Sequence, residues 1–295
     1  RQEPEEIICE PKAYLNELMM DDNSGQPSAK EVFDTTPYTI LVVDDNPDMT
    51  DFLKRTFEGY FKRIIIAGDG VEALQLVRSH VPDIIVSDVM MPRMNGYKLC
   101  KTIKEDINIS HIPVILLTAR DDRQSQISGY KNGADGYLSK PFEVEMLMEL
   151  IRNRLKNREY TKKRYLNAGL IPTPEESTIS LTDETFLIKL NSIIQENIEN
   201  SNLGIQFICQ EVGLGRSSLY NKLKALTGMG ANEYISKLRI EKAITLISGT
   251  DMPFSEIAEK TGFTTPSYFS TTFKQYTGET PSQYKERKKK GLADK

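Results

Sequence analysis

Five short apolar runs, separated by helical patterns, constrain the fold more than any other feature of the sequence. These runs are rich in β-branched residues and read TILVV (39–43), RIIIA (63–67), DIIVS (83–87), PVILLT (113–118) and GYLS (136–139). They lack the period-two alternation of a sheet with one face in water, so helices are expected to cover both faces. The alternation of strand and helix predicts an α/β fold with a doubly wound, parallel, five-stranded sheet.

Composition and charge place the chain in a broad class. Of its 295 residues, 39 % are hydrophobic and 27 % are charged, as in soluble globular proteins. No apolar run is long enough for a membrane helix, no signal peptide begins the chain, and the three cysteines are widely spaced. These features predict a cytoplasmic location. The chain lacks an initiator Met, which suggests a piece of a longer protein.

The charge is unevenly distributed. The net charge is −4, but residues 180–295 carry 15 Lys and Arg against 13 Asp and Glu, a net of +2, which leaves −6 for the rest. An acidic half joined to a basic half indicates two different functions, the second involving a polyanion.

Polar residues follow four of the five predicted strands. Asp44 and Asp45 end the first run, Asp88 ends the third, Thr118 the fourth and Lys140 the fifth. In a doubly wound sheet ligands bind beyond the carboxyl ends of the strands, so these side chains are expected to lie together.

Carboxylates without histidine suit a hard cation that prefers oxygen ligands, and Mg²⁺ is the predicted cofactor. A carboxylate beside Mg²⁺ and a lysine can attack phosphorus and form an aspartyl phosphate, and Thr118 could bind the new phosphoryl group. A haloacid-dehalogenase type of phosphatase is a rival interpretation. That chemistry needs a second Asp two residues after the first, where this chain has Met90, which argues against it.

With these motifs, residues 38 to about 158 resemble a response-regulator receiver domain, which has a flavodoxin-like fold. The resemblance implies that Asp88 is the phosphoacceptor, that Asp45 binds the metal directly and that Asp44 acts mostly through water. It also implies a third metal ligand, a switch pair and a lysine that precedes a cis proline; these are the Met90 backbone carbonyl, Thr118 with Tyr137, and Lys140 before Pro141. The switch is expected to change the face made by the fourth helix, the fifth strand and the fifth helix. In the fifth helix the expected core stripe is Val144, Met146, Leu147, Leu150 and Ile151.

The C-terminal part contains an internal repeat. GRSSLYNKLKALTG (215–228) and TPSYFSTTFKQYTG (265–278) match at a shift of fifty residues, and similar helical patterns precede both. Each copy reads as helix, glycine turn, helix and glycine stop, which is the form of a helix-turn-helix. A long helix over 231–248 is predicted to connect the copies.

Residues from about 182 to 290 resemble the AraC family of DNA-binding domains, which implies an all-α domain with two recognition helices that enter successive major-groove segments about 34 Å apart. The repeat predicts four core positions, Leu219, Leu223, Phe269 and Phe273. The predicted DNA-reading positions are Arg216, Ser217, Tyr220, Asn221, Pro266, Ser267, Tyr268 and Thr271. For Tyr268 a core role is equally open. Phosphate contacts are predicted for Lys222, Lys224 and Lys274.

The predicted organisation has five parts. They are a tail or linker over 1–37 with a short helix at about 14–20, a receiver over 38–158, a linker over 159–181, a DNA-binding domain over 182–290 and a tail over 291–295.

The whole predicts a two-component transcription regulator that is not an enzyme apart from receiver self-phosphorylation and slow dephosphorylation. Its expected partners are a histidine kinase phosphodonor, double-stranded promoter DNA and a second copy in a phosphorylation-dependent homodimer, with RNA polymerase as a further candidate. Three alternatives stay open: a constitutive DNA-binding factor whose receiver only dimerises, a phosphate sink or protein-interaction module that never touches DNA, and the output end of a membrane-bound hybrid sensor kinase. In the last case the membrane is reached only through a sensor portion outside this sequence.

Overall fold

The computed structural model describes residues 32–119, 133–167 and 180–293. In its first part, strands and helices alternate as the sequence predicts. The elements are β1 (Thr39–Val43), α1 (Pro47–Phe57), β2 (Arg63–Ala67), α2 (Gly70–His80), β3 (Ile84–Asp88), α3 (Gly96–Glu105), β4 (Val114–Ala119), β5 (Gly136–Lys140) and α4 (Val144–Asn167).

The five strands form one parallel sheet in the order β2-β1-β3-β4-β5. This order confirms the flavodoxin-like, doubly wound fold and puts the switch point between β1 and β3. Side chains of the three central strands are almost entirely buried, because helices pack on both faces of the sheet. The carboxyl ends of β1, β3, β4 and β5 therefore lie along one edge.

Helix α4 differs from the prediction in its buried face. Its fully buried stripe is Leu147, Met148, Ile151 and Leu155, whereas Met146 is 57 % exposed. The predicted stripe was wrong at Met146 because residues that share a helical face recur at three or four positions, and Met146 lies on another side of the helix. The helix also continues past residue 158, the predicted end of the receiver, to Asn167.

The second part is helical throughout. Its elements are α5 (Leu181–Glu196), α6 (Ile205–Val212), α7 (Arg216–Thr227), α8 (Ala231–Gly249), α9 (Phe254–Lys260), α10 (Pro266–Thr277) and α11 (Pro281–Ala293). Helices α6 and α7 form the first helix-turn-helix, helices α9 and α10 form the second, and α8 connects the two. This arrangement matches the internal repeat.

The backbone conformation explains why glycine occupies the turn and stop positions of the repeat. Gly213 and Gly262, between the two helices of each motif, have φ values of 74° and 71°, a region in which only glycine is free of steric cost. At Gly262 a Cβ atom would also lie 2.1 Å from the carbonyl oxygen of Ile198. Gly228 and Gly278 end the recognition helices in the same conformation.

Each helix-turn-helix has its own core. Leu219 and Leu223 are buried among α5, α6 and α8 in the first, and Phe269 and Phe273 are buried in the second. All four residues face inward, as the repeat predicts. Burial of these side chains is worth roughly 1.5–3 kcal/mol each.

Several predicted features lie outside the described residues. They are the short helix at about 14–20, most of the helical pattern expected between the fourth and fifth predicted strands, and most of the linker over 159–181. Within the described ranges, no helix combines the length and apolarity that crossing a membrane requires.

Candidate functional site

The acidic edge of the sheet is organised around one lysine. The ammonium nitrogen of Lys140, at the end of β5, lies 2.8 Å from Asp44 Oδ2 and 2.5 Å from Asp88 Oδ1. Asp44 follows β1 and is 3 % exposed, and Asp88 ends β3 and is 8 % exposed. Two carboxylates from neighbouring strands and a cation from a third element thus meet at one point, although the three residues are separated in sequence by 44 to 96 positions.

The protonation of this cluster reflects competition between burial and charge. Burial raises the pKa of Asp88 above its usual value, although the hydrogen bond and charge of Lys140 oppose this. Burial by itself would lower the pKa of Lys140, but hydrogen bonds from its ammonium to Asp44 and Asp88 outweigh it and raise that pKa. Lys140 therefore stays charged and offsets part of the acidic repulsion.

Backbone hydrogen bonds orient both carboxylates. The Met90 amide donates to Asp88 Oδ2 at 2.6 Å, and the Asn46 amide donates to Asp44 Oδ1 at 2.9 Å. Asp45 is exposed beside this pocket, and the Met90 side chain is 72 % exposed. The Lys140–Pro141 peptide bond is cis, as the resemblance implies.

Thr118 and Tyr137 lie on the neighbouring strands β4 and β5. Thr118 is 1 % exposed, and within the described part of the chain its hydroxyl oxygen makes no hydrogen bond. A buried hydroxyl without a partner costs roughly 1–3 kcal/mol. A hydrogen bond from the Thr118 hydroxyl to an acceptor that enters the pocket would therefore be favourable. Tyr137 is partly buried and packs against the receiver core.

The donor set at this edge is all oxygen, which fits Mg²⁺. Among the residues that the structure describes, no three acidic, histidine or cysteine side chains are already grouped closely enough to hold a metal ion. Instead the Lys140 ammonium lies between Asp44 and Asp88 and is hydrogen-bonded to both carboxylates. The carboxylates of Asp44, Asp45 and Asp88 and the carbonyl of Met90 are the groups available for a metal.

In the first recognition helix, α7, the predicted reading positions Arg216, Ser217, Tyr220 and Asn221 are all exposed, as is Lys224. Arg216 Nε donates to Gln206 Oε1 at 3.2 Å, which orients the guanidinium at the start of the helix.

In the second recognition helix, α10, Thr265 caps the start by accepting a hydrogen bond from the Tyr268 amide, and Pro266 follows as the first helical residue. Every predicted position of this helix is exposed; the set is Pro266, Ser267, Tyr268, Thr271 and Lys274. Tyr268 combines the two roles left open for it, because it is 53 % exposed and its ring also packs edge-on against Phe263 at 5.8 Å.

The assignment of Lys222 as a phosphate contact is wrong. Lys222 is 0 % exposed, forms an ion pair with Asp183 at the start of α5, and lies 5.1 Å from the centre of the Phe186 ring. It faces the interior because α5 and the receiver cover this side of α7. Lys222 lies three residues after the core position Leu219, so the helical period places it near the buried face, and its charge was the misleading signal.

Sequence reasoning also missed the residues that join the two parts of the chain. Ser110, in the loop between α3 and β4, donates to Asp183 Oδ1 at 2.7 Å and accepts from Lys222 at 2.8 Å. Tyr165, near the end of α4, is buried in the core of the first helix-turn-helix. Helix α4 and the loop after α3 therefore connect the receiver to the first helix-turn-helix.

Comparison with known proteins gives the class. The family model for a response regulator receiver domain matches residues 40–152, and the model for a helix-turn-helix domain matches residues 208–287. A parallel-sheet receiver followed by tandem helix-turn-helices defines a two-component signalling protein with a DNA-binding output. The chain belongs to the response regulator family, and its output domain is of the AraC type.

Several individual proteins are similar to this chain. Histidine kinase P4 of Formosa agariphila is 41 % identical over 249 residues, which are 84 % of this chain and 18 % of that protein. Response regulator MprA of a Mycobacterium species is 36 % identical over 165 residues, 52 % of this chain and 70 % of that protein. A solved Francisella response regulator receiver domain is 37 % identical and covers 41 % of this chain and 98 % of its own, with a TM-score of 0.38.

Proposed function

We propose that the chain is a phosphorylation-controlled transcription regulator in which Asp88 accepts a phosphoryl group from a histidine kinase. The observation that carries the proposal is the meeting of Asp44, Asp88 and Lys140 at the carboxyl edge of the sheet, beside the unsatisfied hydroxyl of Thr118. This constellation offers a nucleophile, a fixed cation and a hydroxyl donor for phosphoryl oxygens.

The residues have separate roles. A carboxylate oxygen of Asp88 attacks phosphorus as the bond between phosphorus and the histidine nitrogen of the kinase breaks, and the histidine leaves without its phosphoryl group. The Met90 amide, hydrogen-bonded to Asp88, fixes the orientation of the carboxylate. Lys140 compensates negative charge as the phosphoryl group arrives, and the Thr118 hydroxyl donates to one phosphoryl oxygen afterwards. Asp44, Asp45, Asp88 and the Met90 carbonyl would hold Mg²⁺, which when bound offsets further charge on the phosphoryl oxygens.

Movement of Thr118 toward the phosphoryl group would vacate space that Tyr137 can fill. The phosphoryl group adds roughly two negative charges to a pocket that is already acidic. Together these changes shift the receiver from one of two surface conformations to the other, and the phosphorylated conformation favours a homodimer.

The output is promoter DNA recognition by the two exposed recognition helices. In α7, Asn221 could pair with adenine and Arg216 with guanine or a phosphate. In α10 the predicted reading residues include the short hydroxylic Ser267 and Thr271 and no arginine. Phosphate contacts and DNA shape therefore contribute more than base contacts to DNA binding by this helix. RNA polymerase is a candidate partner at the promoter.

The phosphorylation step is tested with acetyl phosphate and Mg²⁺, followed by intact mass. We expect one added phosphoryl group on the wild type and on Asp51→Ala, a control that removes an exposed acid from α1, and none on Asp88→Ala. An added phosphoryl group on Asp88→Ala would contradict the assignment of Asp88 as the phosphoacceptor. Genome-wide binding of wild type beside Asp88→Ala then reports the sites and their phospho-dependence together. Equal occupancy by both proteins would favour a constitutive DNA-binding factor.

A second candidate is the output end of a hybrid sensor kinase. The alignment to Histidine kinase P4 favours it, because this chain matches that protein across both of its parts while spanning 18 % of its length. Detection of the native protein by antibody distinguishes the two, since a hybrid sensor would run at several times the size of this chain and fractionate with membranes.

A further inference from the structure

A cavity of about 90 Å³ lies where the receiver, α4 and the first helix-turn-helix meet. Its walls come from the end of α3, the loop before β4, one face of α4, the start of α5 and the last turn of α7. Liquid water takes about 30 Å³ per molecule, so the cavity has room for about three waters or for one small ion. The chemistry of the lining side chains distinguishes these two contents.

The carboxylates in the walls already have cationic partners. Lys104 pairs with Asp135 at 2.7 Å, and its ammonium also donates to two backbone carbonyls of the loop before β4. Asp183 forms its ion pair with Lys222. Both carboxylates that the described residues contribute to the walls are therefore compensated, and neither needs a cation from the cavity.

The cations on α4 are less well compensated. Arg154 and Arg158 lie one helical turn apart on the face of α4 that lines the cavity. Arg158 lies 3.5 Å from the carboxylate of Asp83, and 16 % of its side chain is exposed. Arg154 forms no ion pair with any residue that the structure describes. Because the carboxylates of the walls are engaged elsewhere, the cavity keeps the positive charge of Arg154.

Three nitrogens of the lining side chains are buried without a hydrogen bond. They are Nδ1 of His111 and the Nε atoms of Arg154 and Arg158, each without a partner among the described residues. His111 is 8 % exposed. A buried donor without an acceptor loses the hydrogen bond that it made to water, and the loss is larger for a charged group. Guanidinium groups can only donate, so these two need an acceptor.

The charges around His111 favour the same kind of ligand. The pKa of His111 is lowered to about 3, mainly by burial. Nearby cations contribute to this shift and outweigh the one opposing carboxylate, that of Asp183; the cations are Arg158, Lys222 and Lys104. The imidazole is therefore neutral, and the electrostatic potential on this side of the cavity is positive.

These features favour an anion over water. A water molecule brings two hydrogens as well as acceptors, whereas an oxyanion offers acceptors only and adds the missing negative charge. Hydrogen bonds from a guanidinium to an oxyanion are also about twice as strong as those between neutral groups. The volume of the cavity limits the anion to the size of phosphate or sulfate.

We propose that this cavity binds one small oxyanion, of the size and charge of inorganic phosphate, between the two arginines of α4 and His111. The site is separate from the acidic pocket. His111 precedes β4 and Asp135 precedes β5, so the cavity lies at the amino edge of the sheet, opposite the edge that carries Asp88. The proposal requires neither phosphorylation of Asp88 nor DNA binding.

The two histidines of the chain allow a direct test. His111 lines the cavity, whereas His80 is exposed at the end of α2. Proton–carbon NMR of the histidine rings in the full chain is recorded during titration with inorganic phosphate, at constant pH and ionic strength. EDTA removes Mg²⁺ and no phosphodonor is present, so Asp88 stays unmodified. We expect the ring signals of His111 to shift and saturate, and those of His80 to stay in place.

The variant Arg154→Gln removes the unpaired charge, and Lys156→Gln is the matched control, because Lys156 is exposed on the same helix. We expect Arg154→Gln to raise the Kd for phosphate by about tenfold or more, since it removes a charge-assisted hydrogen bond. Lys156→Gln should leave this Kd unchanged. If Arg154→Gln does not fold, Arg154→Lys keeps the charge with fewer donors and should weaken binding by a smaller factor.

Urea unfolding separates anion binding from a structural role of Arg154. Without phosphate, Arg154→Gln should be no less stable than the wild type, because no ion pair is lost. Added phosphate should stabilise the wild type and Lys156→Gln more than Arg154→Gln. The general stabilising effect of phosphate on folded proteins is common to all three and does not contribute to this difference.

Ring signals of His111 that do not move with phosphate would overturn the site. An equal Kd for the wild type and Arg154→Gln would overturn it as well, because the anion would then be bound elsewhere. Glycerol phosphate carries the same phosphoryl group on a larger body, and equally tight binding of this compound would overturn the choice of a free anion. Failure of Asp88 phosphorylation or of DNA binding would leave all three results unaffected.

Discussion

Replacing Lys222 with Met should strongly destabilise the chain, which is unexpected for a lysine on a recognition helix. Met has a similar length and removes only the ammonium group. Lys222 is 0 % exposed and its ion-pair partner Asp183 is 2 % exposed. The variant would therefore leave a carboxylate buried without its cation.

The size of the effect follows from what remains around Asp183. Removing one member of a buried ion pair costs about 3–5 kcal/mol. Asp183 keeps its hydrogen bonds from the hydroxyls of Ser110 and Ser180, so the lower end, about 3 kcal/mol, is expected. Neutralising the partner as well, in Lys222→Met with Asp183→Asn, should restore all but about 1 kcal/mol, because no charge is then left unpaired.

Urea unfolding of the full chain, followed by circular dichroism, measures these differences. Lys224→Met is the matched control, because Lys224 lies on the same helix and is exposed; its expected change is within about 0.5 kcal/mol. A Lys222→Met variant as stable as the Lys224→Met control would refute the burial of Lys222 in solution. Equal losses for the single and double variants would refute the charge argument while leaving burial intact.

Four further outcomes are expected. Lys140→Gln should slow phosphorylation of Asp88 by acetyl phosphate by about 10²–10³-fold, which is the usual effect of removing one preorganised charge near a transferring group. A time course of intact mass measures the rate, and an unchanged rate would exclude Lys140 from the reaction. Burial raises the pKa of Glu241 to about 7, against an opposing charge from Lys237, so the folded state binds an extra proton and the free energy of unfolding should fall as pH rises from about 4.5 through 7. After allowance for partial exposure the change is on the order of 1 kcal/mol, and urea unfolding at several pH values should give a flatter profile for Glu241→Gln; identical profiles would place the carboxyl group in water. Lys274→Ala should reduce the slope of log K against log salt by about 1, whereas Thr271→Ala should alter sequence preference only mildly, and loss of all specific binding by Thr271→Ala would show that α10 reads bases more directly than proposed.

The strands and the repeat could be predicted because their signals are local. A β-branched run such as RIIIA (63–67) favours a strand even at the edge of a sheet, and β2 has the predicted bounds. A turn with a positive φ favours glycine, so Gly262 marks the turn between two helices. The meeting of Asp44, Asp88 and Lys140 could also be foreseen, because a parallel sheet brings the carboxyl ends of its strands to one edge.

The sequence by itself therefore determined the α/β sheet, the tandem helix-turn-helices and the acidic edge, since periodicity and strand polarity are properties of short segments. The tertiary structure alone decided which helix faces are covered. Lys222 is buried against α5 and the receiver, where it donates to Ser110, 112 residues earlier in the chain. Helix α4 extends to Asn167, with Tyr165 buried in the core of the first helix-turn-helix. Local patterns show that a face can be buried but contain no information on its neighbour, because such contacts depend on how two separately folded surfaces fit.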